Sequence, residues 1–119
     1  MRLIIAGSRT FNPSITRIDR HVRDAQLILD EPTITVILCG MARGVDLAGK
    51  RWAEANSIPV EEYPANWKKY GKAAGPIRNT FMASRADALL LMWDGESRGS
   101  AHMKQAAQER GLYIHEVIM

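Results

Sequence analysis

The chain is predicted to be an α/β protein: a doubly wound, mainly parallel five-stranded Rossmann-like sheet with helices on both faces. Three observations predict this. Apolar runs of four to seven residues alternate with amphipathic stretches along the whole chain. The runs are continuously apolar rather than alternating, as expected for strands covered on both faces. Gly- and Pro-containing turns separate nearly every run from the next amphipathic stretch, and strand–helix–strand order gives right-handed parallel crossovers.

Arg2-Leu-Ile-Ile-Ala6 is the first strand and runs into Gly7-Ser8-Arg9. Asn12-Pro13 is expected to open a helix, with Asn as N-cap and Pro at the first helical position. Its apolar stripe is Ile15, Ile18, Val22, Ala25 and Leu29, and Pro32 closes the segment. Ile34 to Cys39 is a β-branched second strand ending at Gly40. A helix over about Val45–Asn56 follows, and Ile58-Pro-Val60 leads into a short third strand. Residues 64–75, with Pro64, Gly71 and Gly75, are expected to be irregular. Pro76–Ala86 reads as a helix, Asp87–Trp93 as the most apolar strand, Gly95–Gly99 as a turn, Ala101–Arg110 as a helix and Leu112–Val117 as the last strand.

Composition narrows the class. The length of 119 residues suits a single domain spanning 1–119. No apolar run approaches the ~20 residues of a membrane span, and no signal peptide is evident, so a cytoplasmic protein is expected. The single cysteine, Cys39, excludes an internal disulfide framework and a multi-cysteine metal site. The net charge of +3 is modest, but its placement is uneven. Between Glu62 and Asp87 there is no acidic residue, and Lys68, Lys69, Lys72, Arg78 and Arg85 give that stretch +5. Trp67 and Tyr70 lie among them, and interleaved aromatic and basic residues can stack on a base and hold its phosphates. A plain basic surface loop with Trp67 packed beneath it is an equal reading.

In doubly wound sheets ligands bind beyond the carboxyl ends of the strands, where strand order reverses. The segments expected there are Gly7-Ser8-Arg9, Gly40-Met-Ala-Arg43-Gly44-Val-Asp46, Gly75-Pro-Ile-Arg78-Asn79 and Asp94-Gly-Glu-Ser97-Arg98-Gly99-Ser100. Each sets glycine near one arginine. Glycine lets backbone N–H groups approach an anion, helix N-termini add their dipoles, and arginine offers a planar fork to phosphate. One such loop alone is ordinary connection. Four at one sheet edge predict that Arg9, Arg43, Arg78 and Arg98 converge on one anionic, phosphorylated ligand. Asp46 is expected at a helix start, where the dipole stabilises a carboxylate, as a cap or a ribose contact. Asp94 either contacts ligand or holds its turn. Cys39 reads as buried and inert rather than as a thiolate, His21 and His115 as surface or structural, His102 as near the site, and Trp52 and Trp93 as core. No Walker A or complete Gly-x-Gly-x-x-Gly run is present.

These segments resemble the SLOG superfamily. The resemblance is carried by Ala6-Gly-Ser-Arg-Thr-Phe11, Cys39-Gly-Met-Ala-Arg-Gly-Val-Asp46, Arg51-Trp-Ala-Glu54, Tyr70-Gly-Lys-Ala-Ala-Gly-Pro-Ile-Arg-Asn79 and Trp93-Asp-Gly-Glu-Ser-Arg-Gly-Ser100. They are most like the small stand-alone YspA-like branch. The resemblance implies a nucleotide or nucleotide-derived ligand, as a sensor, carrier or sequestering protein would take, with no other cofactor. It places the site at Gly7, Ser8, Arg9, Gly40, Arg43, Gly44, Asp46, Arg78, Asn79, Asp94, Ser97, Gly99 and Ser100, with no metal. SLOG relatives include cytokinin-activating phosphoribohydrolases, the DNA-processing protein DprA and sensors of NAD-derived signals in antiphage defence, and they often form homo-oligomers. N-glycosidic or phosphate hydrolysis and single-stranded nucleic-acid binding are therefore the alternative functions. Two positions depart from the pattern. Met41 stands where the branch usually has the second glycine of a pair, and Met103 aligns with the catalytic Glu of the phosphoribohydrolases. Methionine cannot exchange protons, so the expectation leans away from an enzyme.

Overall fold

A computed structural model describes residues 1–119. The five strands are β1 (Arg2–Gly7), β2 (Val36–Cys39), β3 (Val60–Glu62), β4 (Ala88–Trp93) and β5 (Tyr113–Ile118). They form one sheet of order β3-β2-β1-β4-β5 in which every pairing is parallel. The register sets Ile4 beside Leu38 and Leu89, and Leu90 beside His115. The helices are α1 (Ile15–Ile28), α2 (Val45–Ala55), the single turn α3 (Trp67–Tyr70), α4 (Ala74–Ala83) and α5 (Arg98–Glu109). The predicted fold class is the observed one. No helix is long and apolar enough to cross a membrane.

Alternate residues of the strands feed two cores, as the period of two requires. Leu3, Ile5, Ile37, Leu90 and Met92 face α1 and α2, where they meet Ile18, Val22, Ala48 and Trp52. Ile4, Ala6, Leu38, Leu89, Leu91 and Trp93 face α4 and α5, where they meet Met82, Met103 and Ala107. Both Trp52 and Trp93 are buried. Each donates its indole N–H to a carboxylate, Trp52 to Asp19 at 3.2 Å and Trp93 to Glu116 at 2.7 Å. At the opposite edge from the strands' carboxyl ends, Arg2 makes a two-pronged contact to Glu61 at 2.6 and 3.1 Å. Glu61 also accepts from the Tyr63 hydroxyl at 2.6 Å.

Several element ends differ from expectation, each for a local reason. Helix α1 starts at Ile15, because Ser14 rather than Asn12 is its N-cap and accepts from the Arg17 N–H at 3.1 Å. Asn12 instead accepts from the Arg51 guanidinium. Ile15, at the helix start, is 43% exposed and so lies outside the core stripe. The stretch expected to be irregular contains α3, capped by the Asn66 side chain on the Lys69 N–H at 3.1 Å, and a 3-10 turn at Gly71–Ala73. That turn runs straight into α4, which therefore begins at Ala74, two residues before Pro76; proline in a first turn forfeits no helical hydrogen bond. Helix α5 starts at Arg98 rather than Ala101, because Ser97 caps it.

Leu90 is wholly buried in the inner strand β4, whereas Leu27 is 64% exposed on α1. Leu90→Ala should cost about 2–5 kcal/mol and Leu27→Ala less than about 0.5 kcal/mol. Equilibrium urea unfolding of the two variants checks the contrast.

Candidate functional site

Strand order reverses between β1 and β4, since the chain moves from β1 outward to β3 and then returns to β4 on the other side. A cavity of about 590 Å³ opens there, at the carboxyl ends of those two strands. Its walls come from Gly7–Thr10, from Asp46 on α2, from Trp67 and Lys72, from Arg78 and Asn79 on α4, and from Asp94 and Ser97–Ser100. Ala6, Ala42, Gly75, Pro76, His102 and Met103 complete it. A neighbouring depression of about 460 Å³ shares Arg9, Ala42, Trp67 and Arg78 with it and adds Gly40, Met41 and Arg43.

The backbone around Ser8 holds the cavity's base. Ser8 is buried. Its N–H donates to the Met92 carbonyl at 3.1 Å, its hydroxyl accepts from the Asp94 N–H at 3.2 Å, and its carbonyl accepts from the Val45 N–H at 3.3 Å. One residue therefore fixes the ends of β1 and β4 and the start of α2. Gly44 has a φ of +82°, and a Cβ there would strike the carbonyls of Ser8 and Arg9. Only glycine fits that position without displacing the loop.

The three cavity arginines differ in how firmly they are held. Arg78 is half-buried; its Nη1 donates to the Gly40 carbonyl and its Nε to Asn79 Oδ1 at 2.9 Å. Arg98 is exposed at the first turn of α5. Arg9 is exposed and lies with its guanidinium 5.9 Å from the centre of the Trp67 ring. Arg43 does not join them: it is exposed and lines only the neighbouring depression. The expected convergence of four arginines is thus one of three, with Lys72 as the fourth cation. The basic stretch also divides. Lys68, Lys69 and Tyr70 are exposed and line neither hollow. Arg85 lies past the C-terminal end of α4, over the Phe81 ring, and its carbonyl accepts from Arg2 at the far edge of the sheet.

Asp46 and Asp94 are the cavity's two carboxylates, and their surroundings set them apart. Asp94 is exposed and accepts from the N–H groups of Glu96 and Ser97, both at 2.9 Å, which holds its pKa below the ordinary range. It braces the turn that leads into α5. Asp46 is 5% exposed. Burial pushes its pKa up to about 6, against the positive charge of Arg78 and the Ala42 N–H, which donates at 3.4 Å. The helix start was expected to stabilise this carboxylate, and desolvation outweighs that effect. Cys39 is fully buried, and burial raises its thiol to about 11. It is inert, with the thiol donating to the Asp46 carbonyl at 3.4 Å.

Asn79 ties two walls together. It accepts from Arg78, and its Nδ2 lies 3.4 Å from both the Gly99 carbonyl and His102 Nδ1. Ser97 and Ser100 close the first turn of α5 through an Oγ···N contact of 3.5 Å, and Gly99 leaves open space beside it. The cavity residues that were not among the expected site residues are Ala6, Thr10, Ala42, Lys72, Gly75, Pro76 and Met103. Lys72 was legible as one member of the basic stretch; the others carry no signal of their own.

A family model described as YspA, cpYpsA-related SLOG family matches residues 1–70. The chain belongs to the SLOG family. It is 33% identical over 119 residues to the Gene 61 protein of Mycobacterium phage D29, covering 95% of this chain and 93% of that protein. No solved structure matches the chain.

In this SLOG chain the two departures from the pattern have defined places. Met103 is buried and forms part of the cavity wall, so no carboxylate stands there. Met41 has a φ of +64°, in the left-handed region, and its side chain lines the neighbouring depression rather than the main cavity. The backbone has kept the conformation that suits glycine although the residue is methionine.

Two outcomes are expected. A side chain in the left-handed region costs roughly 1–2 kcal/mol, against about 0.5–1 kcal/mol for glycine's extra freedom in the unfolded chain. Met41→Gly should therefore stabilise the protein by about 0.5–1 kcal/mol in chemical denaturation; a loss would mean that packing of the methionine outweighs the strain. Asp46 keeps its proton up to about pH 6 in the folded protein, and releases it near pH 4 when unfolded. The folded state binds more protons between those values, so this group's contribution to stability is greatest below about pH 4 and falls as pH rises through 6. The melting temperature of the wild type relative to Asp46→Asn should decline from pH 4 to 7 and then level off.

Proposed function

We infer that the protein binds a nucleotide or nucleotide-derived, phosphorylated small molecule in the cavity at the β1–β4 switch point. One observation carries the reading: three arginines and Lys72 line a cavity of about 590 Å³ whose rim bears Trp67, 50% exposed. That volume suits a small organic ligand. Asp94 is spent on its own turn, and burial disfavours charge on Asp46, so the cationic groups dominate. The first turn of α5 adds N–H groups that have no intrahelical acceptor, at the end of a helix that favours negative charge. Trp67 supplies a flat face for a base, and the depression toward Arg43 gives room for a second moiety. Membership in the SLOG family points to a nucleotide-related ligand as well.

The binding is a capture mechanism. Arg78 is held in place before the ligand arrives, through Gly40 and Asn79, so little side-chain entropy is lost when it meets a phosphate. Arg9 already rests near Trp67, and a base stacked on that ring takes over the contact, freeing the guanidinium for phosphate. Sensing, carrying and sequestering all use this step.

A second reading, hydrolysis of the bound nucleotide, rests on Asp46. A buried carboxyl with a raised pKa inside a cavity is suited to proton transfer, although Met103 stands where the phosphoribohydrolases place their Glu.

Calorimetric titration with AMP, ADP-ribose, NAD, cyclic ADP-ribose isomers and cyclic dinucleotides tests both readings. At least one member should bind in the micromolar range. Arg98→Ala and Arg78→Ala should each weaken it by tenfold or more, and Trp67→Ala by about tenfold, from a stacking contribution of about 1–3 kcal/mol. If no member binds, or if Arg98→Ala and Arg78→Ala leave binding intact, the reading is wrong. Chromatography of the same mixtures for free base or ribose phosphate decides hydrolysis, since intact ligand throughout excludes it for that panel.

A further inference from the structure

The second cluster of ligating side chains lies away from the cavity, where α1 crosses the edge strand β5. Tyr113 and Val117 of β5 pack on the core beneath α1. His115, between them, shares their side of the sheet by the two-residue period. On α1, Ile18, Val22 and Ala25 form the buried stripe. His21 lies beside that stripe, and Asp24 follows it by three residues on the same helical face. One potential ligand atom from each of His21, Asp24 and His115 lies within 4.8 Å of the other two. No other part of the chain brings three such residues together.

We propose that His21, Asp24 and His115 form a binding site for a divalent transition-metal ion of the zinc class, which clips α1 to the edge strand. Three features support it. Two imidazoles and one carboxylate suit Zn²⁺ and its neighbours rather than Ca²⁺ or Mg²⁺, which take all-oxygen sets. The Tyr113 hydroxyl lies 3.1 Å from His115 Nδ1, so the phenol oxygen can accept from Nδ1–H and leave Nε2 for the ion, the outer-shell arrangement typical of metal-bound histidine. The imidazole rings are 6.1 Å apart and tilted by 47°, so they converge without stacking. Metal–ligand bonds of about 2.0–2.1 Å put tetrahedral ligand atoms roughly 3.4 Å apart. Closing from 4.8 Å to that spacing takes side-chain rotations, and neither the exposed Asp24 nor the half-buried histidines are locked by full burial. Solvent on the Asp24 side supplies the remaining ligand as water. Arg17 and Arg20 lie close enough to His21 to repel a cation, which weakens the affinity.

The test uses the untagged chain, freed of metal by EDTA dialysis and titrated with ZnCl2. One ion per chain should bind with a micromolar Kd and raise the melting temperature. His21→Ala should weaken binding by at least tenfold, and Tyr113→Phe by a few-fold. Because His115→Ala disturbs the core side of β5, His115→Gln is used with it, and circular dichroism confirms that each variant is folded. Arg78→Ala, in the nucleotide cavity, should leave zinc binding unchanged, which separates this site from that one. Co²⁺ should give weak visible bands without a thiolate charge-transfer band. No saturable binding below 1 mM, undiminished binding in folded His21→Ala or His115→Gln, or a Co²⁺–thiolate band placing the ion at Cys39 would each overturn the proposal.

Discussion

The approach of β1 to β4 is the constraint on which the rest of the structure depends. Gly7 pairs with Met92, and a Cβ at Gly7 would fall on the Met92 carbonyl. The missing side chain lets the two backbones close up where strand order reverses, and Ser8 then locks the junction through its N–H, carbonyl and hydroxyl. From that junction the loop after β1 turns toward α1, the loop after β4 turns toward α5, and α2 starts against the Ser8 carbonyl. The cavity is the space these diverging segments leave. A larger residue at Gly7 would push β1 away from β4 at the base of the cavity.

Charge in the cavity follows from the same geometry. Met103 and Asp46 are buried in the cavity's lining, while Arg9, Arg98 and Lys72 are exposed. A protonated Asp46 adds a donor without adding negative charge. An ionised one partly cancels Arg78. Its protonation state therefore changes the net charge facing the cavity, and that state is set by burial at the start of α2 and not by any acidic partner.

Much of this was legible in the sequence. The continuous apolar runs announced parallel strands covered on both faces, and the glycine-arginine segments marked the sheet edge that carries the cavity. What was not legible was competition between neighbouring residues for one role. Asn12 and Ser14 are both good helix caps, and the choice fell to Ser14 because Asn12 receives Arg51, a contact 39 residues away. Arg43 reads like the other loop arginines, yet the left-handed turn at Met41 and Gly44 sends it to the adjoining depression. Asp46 looked like a helix-start carboxylate, and only the packed structure reveals how completely its surroundings exclude water. The meeting of His21 and Asp24 with His115 spans most of the chain, and no local pattern announces it.

The junction at Ser8 also bears on how the molecule assembles. Ser8 and Asp94 are 86 residues apart in the chain, so the cavity does not exist until a long-range closure of the chain has been made. Closing such a loop costs chain entropy that the contacts at its ends must offset. A molecule bound between the two sides would act as a removable cross-link across that closure, opposing the parting of β4 from β1 by an amount that grows logarithmically with its concentration above Kd. Occupancy of the cavity would then be felt as cohesion of the sheet's centre, where β1 and β4 pair.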